Sequence, residues 1–236
     1  MVLDANSEFL TIIPARGGSK GVPGKNMRAL GAIPLIGWSI RQIIESATPS
    51  RIAVTTDDAD LASYAESLGV EIVLRPLELA SDTATSESAL VHALSVISKQ
   101  DQIKHIIFLQ ATSPVRLSGT LDRAVRQYLD TKVDSLVGVI KSSPFLWRIV
   151  DGLPVALYDT NDRPRRQDFQ PSESPLRETG SLYITKRSNL LKYGNRISGK
   201  IGLFEMARIE GLDIDTMADF RIAEILIEEG FHDLDH

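Results

Sequence analysis

Short apolar runs rich in β-branched residues alternate with helical patterns along most of this chain, and that alternation restricts its fold more than any other feature. Runs at 9–13, 52–54, 71–74, 106–109 and 135–139 predict strands. Between them, Asp57 or Asp58 caps a segment carrying Leu61, Tyr64, Ala65 and Leu68 on one face and stopped by Gly69. Leu90, Ala93, Leu94 and Ile97 form a second stripe; Leu121, Val125 and Leu129, opened by Ser118, form a third. Trp38 belongs to an apolar helical pattern at 34–44 and is expected in the core. Such alternation implies βαβ crossovers and a mostly parallel sheet with helices on both faces. The predicted class is α/β. Ligands of such sheets bind beyond the carboxyl ends of the strands, which points to 14–26, 55–57, 75–84 and 110–116.

After about residue 140 the pattern changes. Runs at 145–150 and 154–158, separated by Asp151-Gly152, signal a hairpin, and a polar Arg/Pro-rich stretch follows at 160–177. Its composition suits disorder, whereas its length suits a lid, a partner-binding arm or a substrate loop. Strands are expected again at 181–184 and 201–206, then a helix opened by the capping pair Thr216 and Asp219. At 236 residues the chain could hold one large domain or two small ones.

Composition excludes several classes. With 43% hydrophobic and 24% charged residues the chain is not broadly disordered, and with no cysteine it has no disulfide, thiolate metal site or cysteine nucleophile. The longest uncharged run, 12 residues at 29–40, is short for a membrane span, and the N-terminus lacks a signal-peptide pattern. A cytoplasmic protein with no membrane partner is expected. Charge is uneven: 9–44 holds five Lys/Arg and no acid, while 205–236 holds ten acids and two arginines. That balance disfavours a nucleic-acid surface and suits a small anionic ligand at the basic end.

The basic end contains the most informative string, residues 12–26, IIPARGGSKGVPGKN. Its glycines let backbone N–H groups approach phosphate oxygens, and Arg16, Lys20 and Lys25 can neutralise them. It is not a P-loop, because Ser19 stands where glycine is required and Asn26 where a hydroxyl should bind magnesium. Near the other end, Asp213 and Asp215 would share a face if extended, and hard oxygen ligands of this kind suit Mg²⁺.

The string at 12–26 resembles the first motif of the cytidylyltransferases that activate sialic acids and related nonulosonic acids. Later motifs are similar in the same order: RPLELASDTA at 75–84, LQATSPVR at 109–116, RRQ at 165–167 and DIDT at 213–216. The resemblance implies a Rossmann-like, mostly parallel sheet of the GT-A or nucleotidyltransferase type. It further implies a single cytidylyltransferase domain over 1–236, with 141–178 as a small substrate and dimerisation arm inserted after the central sheet. The implied reaction is transfer of CMP from CTP to the anomeric hydroxyl of a nonulosonic acid, with release of pyrophosphate, by a homodimer.

By the same resemblance, Arg16, Lys20, Lys25, Asn26 and Asp215 are the catalytic candidates. Ala15, Gly17, Gly18 and Ser19 join Arg16, Lys25 and Asn26 around the triphosphate, and Arg75, Ser81, Asp82, Thr83 and Ala84 read the base. Gln110, Ser113, Arg166, Gln167, Arg177 and Tyr183 face the sugar acid, the arginines gripping its carboxylate with their planar forks. Tyr183 reads equally as an ordinary half-buried strand tyrosine. Asp213 and Asp215 would hold Mg²⁺ or Mn²⁺, and either a carboxylate or a metal-bound hydroxide could take the hydroxyl proton. The chain departs from the family at Thr179-Gly180, where Asn-Gly is usual, at Leu146, where lysine is frequent, and at Arg196-Ile197, which aligns with an aromatic pair. These departures leave open neuraminate, legionaminate and pseudaminate. The alternatives are a synthetase for the eight-carbon sugar Kdo, a nucleotide-binding paralogue without catalysis, and a GT-A-like glycosyltransferase.

Overall fold

The computed structural model describes residues 7–19, 21–81, 83–97, 102–165, 169 and 174–230. Strand β1, Phe9–Pro14, sends Leu10 and Ile12 to one face and Ile13 to the other, as the two-residue period of a strand requires. Both faces are covered, so the strand is largely apolar, and its one polar side chain, Thr11, shares a hydrogen bond with Ser50 at 2.9 Å.

Strand β1 pairs in parallel with β4, Arg51–Thr56, and with β6, His105–Leu109. Two short strands, β2 (Ala29–Leu30) and β3 (Ile33–Pro34), form a separate antiparallel pair. Strand β5, Glu71–Leu74, extends the sheet beyond β4. On the other side come β10, Leu176–Lys186, then β7, Ser135–Lys141, and β11, Ile201–Glu205, giving a seven-stranded order β11-β7-β10-β6-β1-β4-β5. Strand β10 is the antiparallel member, pairing with both β6 and β7. The mostly parallel α/β sheet expected from the alternation is therefore present.

Helices α1 (Leu35–Glu45), α2 (Ala59–Ser67) and α4 (Thr120–Thr131) bury Ile36, Ile40, Leu61, Leu121 and Val125 against one face. Helices α3 (Ser86–Val96) and α5 (Arg187–Tyr193) bury Leu90, Leu94 and Leu190 against the other. Asp58, not Asp57, caps α2 by accepting from the N–H groups of Asp60 and Leu61. The last helix, α6 (Met217–Glu228), has the expected capping box of Thr216 and Asp219.

The expected third stripe needs correction. Helix α4 starts after Gly119 in a left-handed conformation rather than at Ser118, and Leu129 is 48% exposed. Tyr128 takes the buried place, its hydroxyl 3.0 Å from His105 Nδ1. Trp38 is only partly buried, with Nε1 donating to the Leu30 carbonyl at 3.0 Å.

The hairpin after β7 is present as β8, Trp147–Val150, and β9, Leu153–Ala156. Asp151 and Gly152 both have positive φ, 49° and 79°, which matches the right-handed twist of the strands it joins. Its apolar side chains face solvent: Ile149 is 70% and Leu153 68% exposed.

Candidate active site

Strand order reverses direction on either side of β1, because β4 and β5 lie to one side and β6 to the other. At such a switch point the loops leaving the strand ends diverge and open a crevice. A cleft of about 270 Å³ lies there, lined by Ala15 and Arg16 after β1, Arg75 after β5, and Gln110 after β6.

The glycine-rich loop is held in place by its own polar groups. The Asn26 amide donates to the Arg16 carbonyl at 2.9 Å, and the Gly17 N–H donates to Asp57 Oδ1 at 3.0 Å. Gly24, at φ 61°, turns the chain into a short 3-10 segment, Lys25–Met27. Val22 is fully buried against Ile214 and Phe220, tying the loop to the acidic end of the chain. The approach is so close that a Cβ on Gly21 would stand 2.0 Å from the Asp215 carbonyl oxygen. Only glycine fits there.

Lys25 spans the same junction. Its ammonium donates to the Ile214 carbonyl and lies 3.6 Å from Asp215 Oδ1. Asp215 is exposed, whereas Asp213 accepts from the Thr112 hydroxyl and is more buried. Burial pushes the Asp213 carboxyl above the usual carboxylate range and Asp215 adds to this, while Thr112 and Lys25 oppose it. Charge repulsion between the two carboxylates is what a divalent cation would relieve.

No group of three or more His, Asp or Glu is gathered around a metal position among the described residues. Two carboxylates still fit Mg²⁺, which commonly takes one or two from protein and completes its shell with phosphate oxygens and water. Asn26 Oδ1 is buried without a partner and belongs to the lining of the first cleft, so that wall retains an unused acceptor.

Arg75, in the lining of the first cleft, donates to the Thr55 carbonyl of β4 at 2.6 Å and to the Leu79 carbonyl at 3.3 Å. Burial lowers its pKa; Asp57 opposes that shift and nearby Arg16 reinforces it. A second cleft, about 560 Å³, opens beside the acid pair and is lined by Arg177, Glu178, Gly180 and Tyr183 together with Asp213 and Asp215. Arg177 donates to the Gly211 carbonyl at 3.0 Å. Tyr183 is 1% exposed and its hydroxyl donates to Glu178, so burial first and Glu178 second push its pKa up to about 12.

Of the sequence-derived site residues, Ala15, Arg16, Gly18, Ser19, Lys25, Asn26, Arg75, Ser81, Ala84 and Gln110 line the first cleft. Gly17 stands behind it on Asp57, and Thr83 is exposed outside the lining. Arg177, Tyr183, Asp213 and Asp215 line the second. Ser113 is fully buried and lines neither cleft. Lys20, Asp82, Arg166 and Gln167 lie outside the described residues.

Sequence reasoning gave no role to Arg116 and did not single out Glu210. Arg116 is 1% exposed and donates to Ser39, Gln42 and the carbonyls of Gln110 and Ser181, joining the end of β6 to the middle of β10. Burial pulls its pKa down to about 10 against the opposing charges of Glu210 and Asp213. Glu210, 1% exposed, accepts from the N–H groups of Leu117 and Ala207 and from the Thr120 hydroxyl. Two charges at non-adjacent loop positions leave no periodic signal to find.

A family model described as cytidylyltransferase matches residues 10–217. The chain is 33% identical over 218 residues to an N-acylneuraminate cytidylyltransferase of Oncorhynchus mykiss, covering 90% of this chain and 49% of that protein. It is 32% identical over 217 residues to an N-acylneuraminate cytidylyltransferase of Streptococcus agalactiae, with 89% and 51% covered. The chain thus spans about half the length of these two relatives. A post-translational flagellin modification protein B of Campylobacter coli is 32% identical over 230 residues, covering 94% of this chain and 96% of that one. Among solved structures, a CMP:2-keto-3-deoxy-manno-octonic acid synthetase complexed with CTP superimposes with a TM-score of 0.72 at 19% identity, covering 94% of this chain and 99% of that one. A 4-diphosphocytidyl-2C-methyl-D-erythritol synthase from Anaerococcus prevotii superimposes with a TM-score of 0.67 at 13% identity, with 94% and 99% covered. These structural likenesses concern the fold.

Proposed function

Since the chain belongs to the cytidylyltransferase family, we propose that it transfers CMP from CTP to the anomeric hydroxyl of a nonulosonic acid. The observation that carries this reading is the meeting of two clefts at the Lys25–Asp215 junction, one beneath a glycine-rich basic loop and one beside Arg177 and two carboxylates.

In the proposed reaction the anomeric hydroxyl gives up its proton to a carboxylate of the site or to water as its oxygen attacks the α-phosphorus, the bond from that phosphorus to the bridging oxygen breaks, and pyrophosphate leaves with its electron pair. Negative charge grows on the leaving group, so fixed donors near it are worth more in the transition state than in the bound substrate. Arg16, Lys25 and the backbone of Gly18 and Ser19 are assigned to the triphosphate, and Arg75 with Ser81 and Ala84 to the cytosine end. Gln110 and Arg177 orient the sugar acid, Arg177 through its carboxylate. Asp213 and Asp215 would hold Mg²⁺, which when bound neutralises phosphate charge. The proposed reaction draws on CTP and belongs to the cytoplasm; among the described residues no helix is long and apolar enough to cross a membrane.

A homodimer is part of the proposal. The β8–β9 hairpin presents Trp147 and Ile149 on one face, at 56% and 70% exposure, and Leu153 on the other, at 68%, apolar surface of the kind that a second copy would cover.

The test is the product. Incubation with CTP, Mg²⁺ and, separately, N-acetylneuraminate, legionaminate, pseudaminate and Kdo should give pyrophosphate and a CMP phosphodiester by phosphorus NMR with one of the first three. Intact CTP with every acid, or turnover of Kdo alone, contradicts the reading.

A further inference from the structure

Arg196, in the loop after α5, lies over two aromatic rings at once. Its guanidinium carbon is 4.3 Å from the Tyr183 ring centroid and 5.1 Å from that of Phe108, and the two rings are themselves 5.4 Å apart. It also pairs with Glu87 in the first turn of α3, and both side chains are largely buried, at 18% and 23% exposure.

Its three partners belong to different elements, β6, β10 and α3. Phe108 lines the first cleft and Tyr183 the second. Glu87 follows Thr85 and Ser86, which also line the first cleft, and Thr85 caps α3 through the Ser88 N–H at 3.1 Å. The planar cation therefore joins the start of α3 to the ring of the second cleft. A stacked guanidinium can satisfy a carboxylate in its plane while its face covers a ring, which a lysine ammonium cannot do at one position. Tyr183 in turn holds Glu178 through its hydroxyl, extending the chain of contacts to the mouth of the second cleft.

From this arrangement we infer that Arg196 is a positioning residue that couples the two clefts, carrying the settling of nucleotide against Thr85, Ser86 and Phe108 to Tyr183 and so to the sugar-acid position. The inference rests on the assignment of nucleotide and sugar acid to the two clefts proposed above.

The experiment uses wild type, Arg196→Met and Arg196→Lys, each with 3-fluorotyrosine incorporated at position 183, and follows its fluorine resonance as CTP and Mg²⁺ are added. In wild type CTP should move the resonance. In Arg196→Met it should stay in place, although calorimetry shows CTP binding within about threefold of wild type. In parallel, with the sugar acid that wild type turns over, Arg196→Met should raise the KM for that acid about tenfold and leave the KM for CTP within about threefold, and Arg196→Lys should not rescue it. A resonance that CTP fails to move in wild type, or moves equally in the variant, overturns the inference. A common rise of both constants with a fall in Tm overturns it too, since loss of packing alone would do that. If wild type turns over none of the acids, the proposed function fails, and the fluorine measurement still decides the coupling.

Discussion

Lys25 Nζ stands 3.6 Å from Asp215 Oδ1, joining the basic loop that follows the first strand to the acid pair near the far end of the chain. Because the ammonium also donates to the Ile214 carbonyl, one side chain fixes the spacing between the glycine-rich loop and the carboxylates. Lys25→Met keeps the aliphatic stem and removes the charge. It should reduce kcat/KM for CMP transfer by about 10²–10³-fold with Tm little changed, as expected where a fixed cation acts on developing charge. Rates and thermal melting on the same preparations check this.

Gly21→Ala is expected to be disproportionately harmful for a single methyl group. Its Cβ would meet the Asp215 backbone oxygen at 2.0 Å, and backbone cannot rotate aside. The loop must lift from the acid pair, costing about 1–3 kcal/mol of stability as overpacked sites do. Gly18→Ala is the control, since nothing lies within 4 Å of its added Cβ. Denaturant unfolding of the two variants should separate them.

Arg116→Met should destabilise more than any substitution in the exposed part of the loops. It leaves the Gln110 and Ser181 carbonyls without the guanidinium and removes the cation whose charge opposes that of buried Glu210. Breaking a buried charge arrangement from one side costs about 3–5 kcal/mol. Chemical denaturation at neutral pH measures the loss.

The fold should also lose stability on mild acidification through His105. Burial lowers its pKa, outweighing the opposing pull of Glu8, so the unfolded chain takes up a proton that the folded one resists. Stability is then fully present above the ordinary histidine range and falls as pH drops from about 6.5 toward the depressed folded value. His105→Gln should flatten that part of the stability profile, read from urea midpoints between pH 7.5 and 5.5.

What could be read in the sequence was local. The strand ending at Pro14, the glycines and cations after it, the positive-φ pair Asp151 and Gly152, and the Thr216–Asp219 capping box are each encoded within a few neighbouring residues. What could not be read was pairing across the chain. The insertion of β10 between β6 and β7, the stacking of Arg196 on Tyr183, and the burial of Ser113 depend on which distant segment packs alongside. The exchange of Leu129 for Tyr128 on the inner face of α4 has the same origin, because His105 supplies a partner for the tyrosine hydroxyl from strand β6.

The central claim is that the two clefts carry one metal-assisted transfer from CTP to a nonulosonic acid. Initial rates of pyrophosphate release from CTP, measured with each acid in Mg²⁺ and after chelation, for wild type and Asp215→Ala, test it most directly. The expected result is release with one acid, abolished by chelation and reduced at least about 10²-fold in Asp215→Ala. Release that persists unchanged after chelation and in Asp215→Ala, or no release with any acid while CTP binds, would contradict the account.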